Sequence, residues 1–260
     1  MNAFWPLARE ALADALRRRI AAAVAVAALL SVGMLDTCSG CQVTMNGQVR
    51  ELSELAGAAA LGSFVVLGLW GIVLAGILAG DHLRSTLEDG SALLSLARPV
   101  SREAFALARL AGVLGLVIVS GVLVLGADAL MLGKRHGLPL EPALTAGVMC
   151  ALGCITVGAL AMAASLALPR AATLLGVLGG VWLTAIANSV AAFTEVHGWL
   201  GLLDRVGPPL ASSMALALGP WLEGTTIPGD PVRVFARLVA WALGSLVVLA
   251  YGFRRVEVRG

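Results

Sequence analysis

The sequence predicts an all-α, polytopic membrane protein: six transmembrane helices preceded by an amphipathic helix lying in the interface. Three observations carry that prediction. The chain is 59% hydrophobic and 13% charged, with a mean hydropathy of +0.91, whereas a soluble domain carries roughly 25% charged residues. Several apolar runs reach or approach the roughly 20 residues needed to cross about 30 Å of hydrocarbon as a helix. The runs are also unbroken and rich in Leu, Ala, Val and Gly. A membrane β-barrel would instead alternate apolar and polar positions over segments of about 10 residues.

In chain order, residues 3–19 come first. Phe4, Trp5, Leu7, Ala8, Ala11, Leu12, Ala15 and Leu16 recur at helical spacing, with Arg9, Glu10, Asp14, Arg17 and Arg18 on the other face. Asp14 and Arg18 form an i,i+4 pair. Trp5 suits the headgroup level, and the arginines can reach lipid phosphate, so this helix is predicted to lie in the interface. The predicted spans are 20–36, 57–80, 109–132, 143–167, 171–193 and 236–253. The whole chain, 1–260, reads as one transmembrane domain. No small-residue cleavage site follows the first apolar run, so residues 1–36 do not read as a cleavable signal peptide.

An even number of spans puts both termini on one side, and Lys and Arg choose the side. Arg9, Arg17, Arg18, Arg19, Arg84, Arg98, Arg102, Arg109, Arg170, Arg254, Arg255 and Arg259 fall on the N-terminal side. Arg50, Lys134, Arg135, Arg205, Arg233 and Arg237 fall on the other. Twelve against six predicts cytoplasmic termini. Lys134-Arg135 is the awkward pair, set in a short outer loop with Asp128 and Glu141 nearby.

Two loops stand out. The inner one, 81–108, is polar and turn-rich. Asp81 is predicted to cap a short helix through Leu87, Asp89-Gly90 to turn, Arg98-Pro99 to break the chain, and Ser101 to cap a helix that runs into the third span with Glu103 in its first turn. The outer one, 194–235, is punctuated by Pro208-Pro209, Pro220-Trp221 and Pro228-Gly229-Asp230-Pro231. Its apolar stretch Leu210–Leu218 is too short to span and reads as a re-entrant or interfacial helix.

The chemistry-bearing residues are sparse. Lys134 is the only lysine, and Gly133-Lys134-Arg135 lacks the glycine spacing and the Ser/Thr of a phosphate-binding loop. Such a loop needs its lysine to reach the β/γ-phosphates, so this chain is not itself a P-loop ATPase. The scattered arginines are not a nucleic-acid surface, no paired carboxylates or Ser/His/Asp set suggests a catalytic site, and His82, His136 and His197 have no metal-ligand spacing. Cys38-Ser-Gly-Cys41, beyond the first span, reads as a disulfide in an oxidising compartment, an active thiol pair, or a soft-metal site with Met34 and Met45. Cys150 and Cys154 share a helix face and read as small packing residues. Asp128 is the one acid inside a predicted span, an end residue facing water or Lys134, or a proton relay. Thr184, Asn188 and Ser189 on the fifth span are neutral candidates to line a pathway or to bond between helices. Gly76 and Gly80, and Gly176 and Gly180, have the spacing that permits close helix approach.

Glu88-Asp-Gly-Ser-Ala-Leu-Leu-Ser-Leu-Ala-Arg-Pro-Val-Ser-Arg102 resembles the first cytoplasmic loop of ABC-2 type permeases, the membrane subunits of many bacterial ABC exporters. The likeness lies in Gly90, Leu93-Leu94-Ser95 and Pro99-Val100-Ser101-Arg102, with Ser91 where Thr is common. Leu96 and Ala97 are extra before Arg98-Pro99. The resemblance implies a coupling helix docked on a separate ATPase subunit, which would bind ATP and Mg, leaving this chain without a cofactor of its own. It implies contact through Glu88, Gly90, Ser91, Arg98, Pro99, Ser101 and Arg102, and two permease copies, identical or not, forming an export path in the bacterial inner membrane. Membrane lipid, and a periplasmic protein as a further partner, complete that expectation. Two other readings stand beside it: a membrane thiol–disulfide oxidoreductase using Cys38 and Cys41, and a non-transporting membrane anchor or assembly factor.

Overall fold

The computed structural model describes residues 4–17, 42–45, 48–51, 56–88, 101–193, 198–222 and 227–255. In chain order these form helix α1 (Phe4–Arg17), strands β1 (Gln42–Met45) and β2 (Gln48–Glu51), and helices α2 (Ala56–Glu88), α3 (Arg102–His136), α4 (Leu140–Ala164) and α5 (Arg170–Phe193). Then come α6 (Gly198–Val206), α7 (Leu210–Ala217), a 3-10 turn (Gly219–Trp221) and α8 (Pro231–Arg255). Five helices, α2, α3, α4, α5 and α8, are long and apolar enough to cross a membrane. The chain is therefore a multi-pass helical membrane protein. These five overlap the last five predicted spans; the first, 20–36, lies outside the described residues.

Three features differ from the sequence expectation, and the start of α3 agrees with it. Two short strands pair antiparallel, with Gln42 opposite Glu51 and Met45 opposite Gln48, a small hairpin the sequence reading did not place beside an otherwise helical architecture. The second span does not end at Gly80. α2 continues through Asp81, which caps no separate helix, to Glu88, because nothing between Gly80 and Leu87 breaks a helix and the polar side chains there find partners. α3 begins at Arg102 behind the Ser101 cap, with Glu103 in its first turn, and runs on through the third predicted span, as the sequence predicts. The last helix starts at Pro231, with Asp230 accepting from the Val232 amide at 3.0 Å, so Arg233 and Arg237 belong to α8 and not to a loop. Pro suits the first helical turn because its missing N–H would have no partner there.

α4 packs against α2, α3, α7 and α8 and is apolar on nearly all sides, as a central helix must be. Its Gly153 lets α2 come close: a Cβ there would meet Ile72 Cδ1 at 2.6 Å. The two GxxxG pairs divide. A Cβ on Gly76 would strike Val177 at 2.6 Å and one on Gly80 would press on Thr173 at 3.1 Å, so this pair seats α2 against α5, whereas Gly176 and Gly180 face open space.

α2, α3, α4 and α8 share two ends. At one lie Glu88, Arg102, the α4–α5 turn and Arg255; at the other lie Ala56, Gly137, α6, α7 and Trp221. Trp221 closes the second end. It is 2% exposed, stands edge-on to Phe64 with ring centroids 5.8 Å apart, and donates its indole N–H to the Pro139 carbonyl at 2.9 Å.

Candidate functional site at the charged end

Glu88 and Ser101, the described residues that flank the motif segment, lie at the end opposite Trp221. Glu88 is the last residue of α2. Gly90, Ser91, Arg98 and Pro99 lie outside the described residues, as do Cys38 and Cys41. Ser101 has extended backbone (φ −67°, ψ 144°) and its hydroxyl accepts from the Ala104 amide at 3.2 Å. Arg102 follows it, exposed, in the first turn of α3. The chain thus leaves one long helix and enters another with a defined cap.

Around that exit the helices are tied by charge. α1 lies along α3, where a Cβ on Gly112 would meet the Ala8 carbonyl at 2.5 Å. Its buried face is Ala8, Ala11 and Ala15, while Trp5 stays exposed. This close seating brings Glu10 Oε1 to 3.4 Å from Arg109 Nη2 and Asp14 Oδ2 to 3.4 Å from His82 Nδ1. Arg109 Nη1 in turn faces His82 Nε2 at 3.4 Å. An imidazole carrying its proton on Nδ1 suits both neighbours. His82 and Arg109 are 1% and 2% exposed, and an unpaired guanidinium so placed would be prohibitively costly. Arg109 also lies over the Phe105 ring at 5.3 Å, and Phe105 stacks on Phe253 of α8.

Three further ties complete the end. Asp81 pairs with Arg170 at 2.7 Å, joining α2 to α5. Arg84 donates to the Leu168 carbonyl at 2.7 Å, joining α2 to the α4–α5 turn. Glu103 and Arg254 stand 3.9 Å apart between α3 and α8. A cleft of about 370 Å³ opens between Arg84, Leu87 and the turn Ser165–Pro169, beside the last turn of α2. Every spanning helix but α4 therefore sends a charged side chain into this end.

The pathway candidates do not come together. Asp128 is buried on α3, and one of its carboxylate oxygens has no hydrogen-bond partner; among the described residues it makes no ion pair with Lys134, which is exposed. Thr184 bonds within its own helix, to the Gly180 carbonyl at 2.8 Å. Asn188 donates to Asp204 of α6 at 2.8 Å, a brace for the Trp221 end. Ser189 is on the exposed side of α5. α3 and α5 do not pack side by side, so Asp128 and Thr184 line no common surface. Cys150 and Cys154 are buried free thiols, and Cys150 Sγ lies 3.5 Å from the Gly68 carbonyl. Among the described residues no three His, Cys, Asp or Glu gather as a metal site.

Sequence reasoning missed the cluster in which the half-exposed carboxylates of Glu10 and Asp14 reach the buried His82 and Arg109. It assigned the α1 charges to lipid phosphate and water. The available signal was the run of alanines at positions 8, 11 and 15, too small a face for a lipid-buried helix and well suited to close helix contact. Compared with known proteins, the chain matches no family model and no curated protein.

Proposed function

We propose that this chain is the permease subunit of an ABC-2 type, ATP-driven exporter in a bacterial inner membrane. A separate ATPase subunit would hold ATP and Mg, and two permease copies would form the path. The observation that carries this reading is where the motif-bearing segment sits. Its flanks end two helices of 33 and 35 residues, about 50 Å each at 1.5 Å per residue, against about 30 Å of hydrocarbon. Helices of that length are longer than the hydrocarbon is thick and run unbroken from Glu88 and Arg102 to the opposite end, which supports a segment presented to a partner in water.

On this reading closure of the ATPase on ATP pushes the segment between Glu88 and Arg102. Glu88, Arg98 and Arg102 pair with the ATPase, Gly90 and Pro99 set the backbone, and Ser101 anchors the far side by its cap. α2 and α3 then act as levers. The ion pairs at their feet recruit α1, α5 and α8 into the same motion, so that a local push displaces the bundle at the Trp221 end.

Six spans and cytoplasmic termini belong to this proposal. α1 packs at the charged end, yet Ala56 starts α2 at the other, where a Cβ on Gly57 would meet the Trp221 carbonyl. On this proposal the chain crosses between Arg17 and Ala56 through the apolar run 20–36, and the placement of α1 and Ala56 at opposite ends supports it. At the charged end, Arg9, Arg84, Arg102, Arg109, Arg170, Arg254 and Arg255 favour the cytoplasmic side.

The test is co-purification with the P-loop ATPase encoded beside this gene, with and without Arg98→Glu and Arg102→Glu. The expected result is a complex that hydrolyses ATP in lipid and is lost on double charge reversal. A complex indifferent to the reversal, or none with any ATPase, overturns the reading.

A further inference from the structure

In the half of the bundle away from the charged end, α2, α3 and α4 diverge around a groove of about 870 Å³. Of the side chains lining it, only Trp70, Ser120, Cys150 and Cys154 carry a heteroatom. Ser120 gives its hydroxyl to the Leu116 carbonyl at 2.9 Å, and the Cys150 thiol is directed to Gly68. A polar ligand would find no charged group here. The floor is widened by glycine: a Cβ on Gly121 or Gly147 would meet nothing within 4 Å. The rim opens sideways, with Leu144 73% exposed, toward the medium in which these helices sit.

Two features specify the occupant. The first is length. On α3 the lining runs from Val117 to Leu130, about 20 Å along the helix at 1.5 Å per residue. One leaflet contributes about half of the roughly 30 Å hydrocarbon thickness, about 15 Å, so the groove is long enough to take the full length of one leaflet's acyl chain. The second is charge at its open end. Ile118, Val122, Gly126 and Leu130 all line the groove and follow one another at i+4, a single ridge of α3. The next residue on that ridge is Lys134. It is exposed and leads the basic last turn Lys134-Arg135-His136, with Glu141 the neighbouring acid on α4.

We infer that this groove binds an acyl chain of an anionic membrane lipid, with the lipid phosphate held at Lys134. The chain lies along α3 between α2 and α4, and the headgroup lies at the level where hydrocarbon gives way to water. The inference does not depend on the exporter reading, since it uses only the groove and the membrane class.

The test uses the full chain in phosphatidylcholine vesicles containing a trace of diazirine-tailed phosphatidylglycerol or, in parallel, diazirine-tailed phosphatidylcholine. After irradiation, mass spectrometry maps the label. The expected result is phosphatidylglycerol label concentrated on α3 and α4 peptides. Gly121→Leu with Gly147→Leu should cut it by about fivefold or more, because the added side chains occupy the space of the chain. Lys134→Gln, an exposed change that leaves the packing intact, should lower phosphatidylglycerol label by about fivefold, the effect of one basic residue near a lipid surface, and leave phosphatidylcholine label unchanged. Equal labelling by the two lipids, or label indifferent to the glycine substitutions, overturns the proposal. So does efficient disulfide formation between copies bearing Leu144→Cys, which would assign the groove to a second copy of this chain.

Discussion

The two ends of this bundle are closed by different chemistry. At the charged end, helices are joined through charged side chains: Glu10 with Arg109 and Asp81 with Arg170 as ion pairs, and the Asp14 carboxylate with the His82 imidazole. At the Trp221 end, the joints are directional hydrogen bonds, most of them to backbone oxygens, with Asp204 and Arg237 the charged groups among them. Trp221 donates to Pro139, Trp241 to Val206 at 3.0 Å, Arg237 to Gly207 at 2.7 Å, and Asn188 to Asp204. The second set locks short connecting helices onto long ones, and each bond depends on one fixed geometry. The first set links long helices by attraction that falls off gradually with distance, so the helices can shift while remaining coupled. An end that has to move under an external push is better held in the first way, and an end that has to stay assembled in the second.

That contrast is open to attack, beginning where the effect is largest. Trp221→Ala removes a fully buried indole, its edge contact with Phe64 and a bond to Pro139. It should cost about 3–5 kcal/mol in an unfolding titration from lipid or detergent micelles, as buried large-to-small changes do, and added salt should leave that loss unchanged. Arg109→Leu comes next, at about 2–3 kcal/mol, less than a wholly buried pair because Glu10 is half in solvent. Its sharper signature is release of α1: a cysteine placed at Ala11, fully buried in the wild type, should become reactive to a water-soluble thiol reagent. If that cysteine stays protected, the charges do not hold α1 and the contrast fails.

Smaller effects sharpen the picture. Ser101→Ala removes the cap of α3 and should cost about 1 kcal/mol, seen as faster amide exchange at Ala104 and Phe105 with the rest of the helix unchanged. Glu10→Gln should cost less than about 1 kcal/mol, as exposed pairs do, and raising salt on the wild type should reproduce it. A salt response at the Trp221 end equal to that at the charged end would erase the distinction.

Much of this architecture is legible along the sequence. Runs of apolar residues mark five helices, Pro231 and Ser101 mark where two of them begin, and Asn46-Gly47, the favoured dipeptide of a two-residue hairpin, lies between β1 and β2, although periodicity alone passed over strands of four residues. The charges misled. Asp81 looked like a helix start because polar residues usually mark the membrane boundary; α2 absorbs it because Arg170 neutralises it. The candidate site was legible as a motif over 88–102, and illegible as a clamp. The pathway candidates Thr184, Asn188 and Ser189 share a helix in sequence, yet the helical rotation sends Ser189 away from the other two.

What the sequence by itself determined is the membrane class, the positions of the long helices and the one polar segment between two of them. All three follow from hydropathy and spacing, which are local. Only the tertiary structure decided which charges are buried, which glycine pair is a contact and which helix faces enclose a groove. His82 meets Arg109 from 27 residues away and Glu10 meets Arg109 from 99. Gly76 and Gly176 begin identical spacings, but only the first has a helix packed against it. Pairing energy depends on what lies within a few ångströms in space, and no periodicity along the chain encodes that.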